Sequence, residues 1–422
     1  MSKTILAIDF GTSNSLVGAV CGGKRIEALP IDVGAPDPTL MRTLLFFPDG
    51  DRCFYGSEAI KRFIEVDCQG RLFRSFKSHL PNQRYLGTMI GNRALPLEDM
   101  IGIFLLEIKK RAEALLGTKV TRAVLGRPAR YSMDDVADGF AVHRMRKAAE
   151  FAGFEEIEFV PEPLAAALDY RRKIQTEKLV LIGDFGGGTS DFTLIRLSSA
   201  NFKKSDVLAI DGCPLAGDAL DGVFMSHRLN RFFGAKAKYR MPMSSNHLTM
   251  PNSVIDCLNK PAHIVHLKER ATYAFIQEVR KCTQTGEDKA AVERLQIMID
   301  DNQIFPFFEE IEVTKRGLSL NSEWKFNFDY PGLEIQEKFM RADFVSWADP
   351  IRNEIFVAMD RTLTQAGVQD NDVDLVFLTG GTSHVPFIRR QFIQRFGATK
   401  LNAETSLHSV LSGLIEHAAN LS

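Results

Sequence analysis

The chain has 422 residues, of which 45% are hydrophobic and 25% charged, a composition typical of a soluble globular protein with at least two packed cores. Its 52 basic and 53 acidic residues give a formal charge of -1, so no overall field attracts nucleic acid or an anionic membrane. The six cysteines show no C-x-x-C spacing, which argues against a zinc site or a disulfide framework and favours a reducing compartment.

The N-terminal residues do not predict an export signal. Residues 1–9 contain one lysine and a short apolar run that Asp9 interrupts, whereas a signal peptide needs a longer apolar core. The longest aliphatic runs, such as residues 179–182, are far shorter than the roughly 20 residues of a membrane span. We therefore expect a cytoplasmic protein with no membrane partner and no nucleic-acid partner.

Residues 4–20 predict a β-hairpin. They read T-I-L-A-I-D-F-G-T-S-N-S-L-V-G-A-V, in which two apolar runs flank a polar turn with Gly11. The stretch G-A-V-C-G-G-K at residues 18–24 imitates a P-loop. Because Arg25 stands where a P-loop requires serine or threonine, and the next residues favour a strand over a helix, we reject that interpretation.

Residues 179–197 repeat the plan of the first hairpin. They read L-V-L-I-G-D-F-G-G-G-T-S-D-F-T-L-I-R-L, and both segments place D-F-G shortly before T-S, nearly half the chain apart. A strand follows G-G-G-T-S-D, so a dinucleotide-binding fingerprint is not indicated. The duplication predicts two related lobes whose hairpins face each other across a cleft.

The two predicted turns carry groups suited to a polyphosphate. Glycines let backbone amides approach phosphate oxygens closely. Hydroxyl donors are available at Thr12, Ser13, Thr189 and Ser190. Phosphate would repel Asp9, Asp184 and Asp191, which we expect to hold hydrated magnesium beside it. Either motif alone favours an ordinary solvated turn, and it is the repetition that favours the phosphate site.

A third glycine turn is predicted near the C-terminus. Residues 374–392 read D-L-V-F-L-T-G-G-T-S-H-V-P-F-I-R-R-Q-F and indicate a buried strand, a turn and a helix. The turn contains Gly380 and Gly381, and Pro386 falls in the first turn of the helix. Phosphate or ribose can approach such a helix N-terminus, although an ordinary strand-to-helix connection has the same pattern.

Together these stretches resemble the nucleotide-binding domain of DnaK-type heat-shock chaperones, within the actin-like ATPase superfamily. The family motifs D-L-G-T-T-N-S and D-L-G-G-G-T-F-D are similar to D-F-G-T-S-N-S at residues 9–15 and D-F-G-G-G-T-S-D at residues 184–191. The adenosine motif V-G-G-S-T-R-I-P is similar to T-G-G-T-S-H-V-P at residues 379–386. The resemblance covers nearly the whole chain and implies ATP or ADP with magnesium. It implies nucleotide contacts at Gly11, Thr12, Ser13, Asn14, Gly186, Gly187, Gly188, Thr189, Gly380, Gly381, Thr382 and His384.

The resemblance also implies catalytic residues. F-R-S-F-K-S-H-L at residues 73–80 is similar to the family segment with the catalytic lysine, so Lys77 is expected to offset γ-phosphate charge and orient the attacking water. The alternative is a solvated surface lysine. P-E-P-L-A-A-A-L-D-Y at residues 161–170 is similar to N-E-P-T-A-A-A-L-A-Y, which places Glu162 in the magnesium and water shell. Thr189 and Asp184 complete the catalytic candidates.

Two further stretches are similar to the family's adenosine and phosphate contacts. E-V-T-K-R-G-L-S at residues 312–319 is similar to E-R-A-K-R-T-L-S, and a helix would place its polar residues on one face. The implied contacts are Glu312, Lys315, Arg316 and Ser319. P-L-A-G-D-A-L-D at residues 214–221 is similar to the G-G-E-D-F-D turn, which implies phosphate contacts at Gly217 and Asp218.

Several residues depart from the family pattern. His384 replaces the arginine that stacks on adenine, and T-S-L-H-S-V at residues 405–410 lacks the aspartate of N-P-D-E-A-V, so we expect weaker nucleotide binding. Glu158 and Pro161 replace a basic residue and an asparagine that receive J-domain co-chaperones, which makes such docking doubtful. The given sequence ends after the last predicted helix, residues 407–421, so we expect no peptide-binding domain.

We expect an α/β, two-lobed actin-like ATPase fold, with ribonuclease-H-like duplicated lobes around a central nucleotide cleft. Lobe I comprises residues 1–183, and lobe II comprises residues 184–404 with an outer subdomain at about 220–330. Residues 405–422 form a helix that returns to lobe I. Residues 230–300 match the family poorly, and their role is open.

The leading hypothesis is a chaperone-like protein that binds ATP, hydrolyses it slowly and signals lobe closure to an unidentified client or co-chaperone. A second is a nucleotide-gated binding module with negligible hydrolysis. A third is a small-molecule kinase of the same superfamily, in which a bound hydroxyl replaces water. Actin-type filament formation is a weaker fourth.

Overall fold

A computed structural model of the chain describes residues 4–66, 69–132, 134–171, 176–198, 204–242, 245–401 and 408–421. Two large β-sheets, one from each half of the chain, carry the polar turns singled out in the sequence. None of the described helices is long and apolar enough to cross a lipid bilayer.

The first half of the chain builds a six-stranded sheet in the order β11-β10-β1-β2-β3, with β4 paired to β2. The strands of this half are β1 (Ile5–Phe10), β2 (Asn14–Cys21), β3 (Lys24–Ile26), β4 (Met41–Arg42), β5 (Leu44–Phe47), β6 (Phe54–Tyr55), β7 (Arg71–Arg74), β8 (Gly87–Ile90), β9 (Arg93–Pro96), β10 (Arg122–Arg127) and β11 (Glu156–Pro161). Its helices are α1 (Gly56–Glu65), α2 (Leu97–Leu116), α3 (Asp135–Phe151) and α4 (Glu162–Arg171).

The second half builds a four-stranded sheet in the order β14-β13-β12-β19. Its strands are β12 (Lys178–Phe185), β13 (Ser190–Leu197), β14 (Val207–Cys213), β15 (Lys238–Tyr239), β16 (Leu248–Thr249), β17 (Glu323–Phe328), β18 (Ile335–Met340) and β19 (Leu375–Thr379). Its helices are α5 (Gly217–Phe224), α6 (Asn252–Leu258), α7 (Arg270–Cys282), α8 (Gly286–Asp300), α9 (Ile304–Leu320), α10 (Arg341–Gln365), α11 (Pro386–Phe396) and α12 (Ser409–Ala419).

The repeated hairpin predicted from the sequence is confirmed. In both sheets three consecutive strands, β1-β2-β3 and β12-β13-β14, pair antiparallel. The turns also share one hydrogen bond, because the amide of Gly11 donates to the carbonyl of Asn14 at 3.0 Å and that of Gly186 to Thr189 at 2.9 Å. The rejected P-loop stretch lies in the β2-β3 hairpin, as its strand pattern predicts. The helices and sheets together also confirm the predicted α/β fold class.

A buried phenylalanine beside each hairpin aspartate anchors the turn to its core. Phe10 packs on Phe76 and Phe104, with ring centroids 6.2 and 5.9 Å away. Phe185 packs on Phe192 and Phe392 at 5.8 and 6.0 Å. Since successive residues of a strand point to opposite faces, burying each phenylalanine directs the preceding aspartate away from that core.

The C-terminal helix α12 packs against helix α4 and against strands β1, β2 and β10 of the first sheet. Gly413 makes this possible, because a Cβ atom there would lie 1.7 Å from the backbone oxygen of Ala165. The division into lobes stays a prediction, and its proposed boundary near residue 404 lies outside the described residues.

We expect Gly413→Ala to destabilise the chain, because the added methyl group would push α12 away from α4. A glycine-to-alanine change inside a helix otherwise stabilises by about 0.5–1 kcal/mol. Gly139→Ala in α3 is the matched control, since nothing lies within 4 Å of its added Cβ. Urea unfolding should move the two variants in opposite directions, and equal shifts would contradict the packing described for Gly413.

Candidate functional site

The two hairpin tips lie against each other. A Cβ atom on Gly187, in the second tip, would be 3.0 Å from the hydroxyl oxygen of Ser13 in the first. Asp218 is also close to Gly187, since its backbone amide donates to the Gly187 carbonyl at 2.7 Å. The backbone at Gly187 therefore lies between groups from two other parts of the chain, and a larger residue would disturb this approach.

Three aspartates lie beneath the tips. Asp9 is next to last in β1, and Asp184 and Asp191 stand opposite each other in the β12-β13 register. The hydroxyl of Thr379 donates to Asp184 Oδ1 at 2.7 Å, and that of Thr189 donates to Asp191 Oδ2 at 2.9 Å. These bonds orient two of the three carboxyl groups predicted to act on magnesium.

Lys77 is not a solvated surface lysine. It lies in a 3-10 helix, Phe76–His79, and is 6% exposed. Its Nζ donates to the backbone oxygen of Phe10 at 2.5 Å and to Glu162 Oε1 at 3.0 Å. Since Phe10 follows Asp9, the lysine is held directly beside the first hairpin turn.

Burial and mutual repulsion perturb these acidic groups. Burial, assisted by the charge of Glu162, raises the pKa of Asp184 to about 6. Burial and the charge of Asp184 raise the pKa of Asp191 to about 8. For Asp9, burial and then the charge of Glu162 raise the pKa well above its usual range. Burial alone would lower the pKa of Lys77, but Glu162, Tyr131 and Asp9 together raise it above its usual value.

The donor set suits a hydrated divalent cation. Asp9, Asp184 and Asp191 are hard oxygen ligands of the kind magnesium prefers. Burial, and then neighbouring carboxylates, raises the pKa of each, so a cation beside them would favour their ionised forms. Within the described ranges, no three carboxylate, imidazole or thiolate groups are grouped closely enough to hold an ion directly. That the aspartates hold magnesium through bound water stays a prediction.

The remaining hairpin residues offer donors toward the space between the tips. Thr12, Ser13 and Asn14 follow Gly11, and Ser13 is exposed. In the second tip Gly186 and Thr189 are exposed, and Gly187 and Gly188 are partly so. Their position beside the aspartates matches the predicted phosphate contacts, whose roles stay predictions.

The third glycine turn joins the second hairpin. β19, a 3-10 turn at Gly381–His384 and α11 reproduce the predicted strand, turn and helix. Gly380 has φ 81°, and its Cβ would lie 2.0 Å from the Phe185 carbonyl, so only glycine fits there. Thr382 approaches Gly217, whose Cβ would be 3.2 Å from the threonine hydroxyl. His384 is exposed at the edge of this turn.

Helix α9 carries the predicted adenosine contacts. Lys315 Nζ lies 2.6 Å from Asp221 Oδ1 in α5 and donates to the Gly217 carbonyl at 3.4 Å. The Ser319 hydroxyl donates to the Lys315 carbonyl within the helix, at 3.1 Å. Glu312 is 4.0 Å from Arg42 of the first sheet. Arg316, the fourth predicted contact, is exposed.

Sequence reasoning missed three residues at this site. Thr379 donates a hydrogen bond to Asp184. Because it directly precedes the Gly380 turn, the sequence motif could have identified it as a site residue. Tyr131 has a buried hydroxyl with no hydrogen-bond partner among the described residues, and burial raises its pKa to about 12 although the charge of Lys77 opposes this rise. Tyr131 and Arg42 carried no sequence signal, because only tertiary folding brings them to the site.

The raised carboxyl pKa values predict a pH-dependent stability. A carboxyl group whose pKa is higher in the folded than in the unfolded chain stabilises folding below the unfolded value, and that contribution disappears as pH rises through the folded value. In EDTA, the melting temperature of the nucleotide-free chain should therefore fall as the pH rises from about 4 to about 8, the interval between the pKa of an unfolded aspartate and that of folded Asp191. Asp191→Asn should reduce this fall, whereas Asp51→Asn at an exposed turn should not. Identical pH profiles for both variants would contradict the assignment to Asp191.

Comparison with known families connects these features. A family model described as Hsp70 protein matches residues 59–252 and 287–408, which is more than half of the chain. The matched ranges contain the second hairpin, the third glycine turn, α9, Lys77 and Glu162. The first hairpin lies before the matched ranges, so its likeness rests on residues 9–15 and on the repeated turn geometry.

Proposed function

Because this chain belongs to the Hsp70 family, whose members bind ATP or ADP and act as chaperones, we propose that it is a slow ATPase that signals nucleotide state to a protein partner. The observation that carries the proposal is the approach of Gly187 to Ser13, which brings two phosphate-type turns together above three aspartates. A triphosphate held there would touch both hairpins at once.

The backbone amides and hydroxyls of both tips would bind the phosphate oxygens. Glycine at positions 186–188 keeps side chains out of the way, and Ser13 and Thr12 add hydroxyl donors. Magnesium, held through water by Asp9, Asp184 and Asp191, would neutralise phosphate charge. Lys315, Glu312 and the Gly380 turn would contact the adenosine.

Hydrolysis requires a water molecule in line with the γ-phosphate. Lys77 is preorganised for this task, because Phe10 and Glu162 hold its ammonium group in place before any ligand binds. Glu162 and Thr189 would accept hydrogen bonds from this water molecule and so orient it. Phosphoryl transfer needs positioning and charge more than covalent chemistry, so a fixed lysine suits a slow ATPase.

Contacts across the cleft provide a means of reporting nucleotide state. Arg42, beside the first hairpin, pairs with Glu309 of α9 at 2.5 Å. The ring of Phe305 in α9 packs on Phe63 with centroids 6.2 Å apart, and Arg74 stacks on Phe305 at 5.7 Å. Since α9 also carries the adenosine contacts, nucleotide binding and closure share one helix.

The partner proposed here does not have to be a J-domain protein. Glu158, which reverses the charge expected for J-domain docking, lies 2.7 Å from His417 Nε2 of α12. That contact occupies its carboxylate within the chain. The cross-cleft contacts favour a client or co-chaperone whose binding depends on the angle between the lobes over a J-domain protein.

We expect Lys77→Ala to reduce single-turnover phosphate release by about 100-fold while leaving ADP affinity within a few fold, because Lys77 acts on charge that develops in the transition state. Lys110→Ala, at an exposed position of α2, is the control. Unchanged turnover in Lys77→Ala would remove the lysine from the mechanism. ATP binding without phosphate release in the unmodified chain would support the non-hydrolysing binding module instead.

Arg42→Ala should release ADP about fivefold faster than the unmodified chain, because a partly exposed ion pair contributes about 1 kcal/mol to the closed state. Stopped-flow displacement of a fluorescent ADP analogue measures this rate. The matched control is Arg52→Ala, which removes an exposed ion pair to Asp49 within the first half of the chain. Equal release rates in both variants would show that the Arg42 contact does not hold the cleft closed.

A further inference from the structure

Lys77 lies on a helix that is too short to hold its own orientation. The 3-10 helix Phe76–His79 has four residues, whereas even α-helices shorter than about 12 residues are marginal in water by themselves. A lysine side chain also has a flexible four-carbon stem, so the position of its ammonium group depends on where its backbone is held. The contacts that flank this helix therefore decide whether Nζ reaches Glu162 and the Phe10 carbonyl.

The residue before this helix has an unusual backbone conformation. Ser75 has φ 55° and ψ 22°, in the left-handed region that glycine favours and that other residues rarely enter. Among the residues that the structure describes, only one other non-glycine residue, Asn302, has a positive φ. Such a conformation persists where surrounding contacts enforce it, and such residues cluster at functional sites. The corner at Ser75 is therefore a candidate for a role at the neighbouring lysine.

Fixed elements on both sides enforce this corner. Before Ser75, strand β7 pairs antiparallel with β5. After it, the ring of Phe76 is buried and packs on Phe10 and Phe104, with ring centroids 6.2 and 6.0 Å away. The left-handed conformation turns the chain from the strand into the helix within one residue. A negative φ at Ser75 would direct the helix, and the lysine on it, away from Phe10.

Ser78 closes the corner from the other side of the lysine. Its backbone amide donates to the Ser75 carbonyl at 3.0 Å, and its hydroxyl donates to the same oxygen at 2.6 Å. The Ser75 hydroxyl makes no capping hydrogen bond to the helix, so Ser75 contributes through its backbone. The two bonds to one carbonyl close a single turn of chain around Lys77.

On the basis of the ATPase function proposed above, we propose that Ser75 and Ser78 are positioning residues for Lys77. The left-handed corner sets the direction in which the helix leaves β7, and the Ser78 hydroxyl holds that corner closed. Together they place the lysine Nζ beside Glu162 and the Phe10 carbonyl before a nucleotide binds. Both serines act through the lysine and not through the nucleotide.

Labelling of lysine amines tests this placement without requiring hydrolysis. The full, nucleotide-free chain is treated with acetic anhydride, and acetylation of Lys77 is followed by mass spectrometry, with exposed Lys110 as internal reference. Lys77 should react slowly in the unmodified chain, because it is buried and paired. Ser78→Ala should raise its rate about threefold through the lost hydrogen bond. Ser75→Val should raise it about tenfold, because a β-branched residue resists a left-handed backbone.

Two further variants separate this effect from general loosening of the chain. Ser75→Gly should keep the slow labelling of Lys77, because glycine enters the left-handed region freely. Asn302→Val places valine at φ 53° between α8 and α9, and it should leave Lys77 labelling unchanged. Equal acceleration by Asn302→Val and Ser75→Val would overturn the proposal. So would unchanged labelling in Ser78→Ala, which decides the question alone if Ser75→Val does not fold.

Single-turnover phosphate release connects the placement of Lys77 to the chemistry. Ser75→Val and Ser78→Ala should slow release about tenfold and about threefold while ADP affinity stays within a few fold, because the displaced group acts on the transition state. In a Lys77→Ala background neither serine substitution should slow release further, and additional slowing would overturn the proposal. Faster labelling in the serine variants, with turnover unchanged in Lys77→Ala, would support the placement and refute the catalytic role of the lysine.

Discussion

The site depends on the close approach of two hairpin turns that come from opposite halves of the chain. Each turn is a short glycine corner closed by one backbone hydrogen bond, and each is anchored by a buried phenylalanine, Phe10 or Phe185, in its own sheet. Because the cores hold the corners independently, Ser13 and Gly187 can meet without a covalent or helical link between them. The space between the tips thus depends on how the two halves sit relative to each other.

Electrostatics explains why this space is suited to a charged ligand. Asp9, Asp184 and Asp191 are placed where burial penalises their ionised forms, and Lys77 is committed to Glu162 and a backbone carbonyl. The nucleotide-free site therefore carries a destabilising concentration of carboxyl groups. A hydrated divalent ion would supply the missing positive charge, and the oxygens of a polyphosphate would accept from the amide donors.

Helix α9 connects this chemistry to the shape of the molecule. Its middle part faces α5 through Lys315 and Asp221, while its beginning reaches the first half of the chain through Phe305 and Glu309. A ligand that orders one part of a rigid helix also restricts the other.

The sequence by itself determined the local features: the two D-F-G hairpins, the Gly380 turn with its helix, the helix that carries Lys315, and the likeness to one chaperone family. These follow from residues that are neighbours in the chain, where glycine conformation and strand or helix periodicity act over a few positions. Only the tertiary structure decided that Lys77 is buried against Glu162, that Thr379 donates to Asp184, and that Arg42 and Tyr131 lie near the hairpins. Those contacts join residues far apart in sequence, and their partners are selected by packing, which no local pattern encodes.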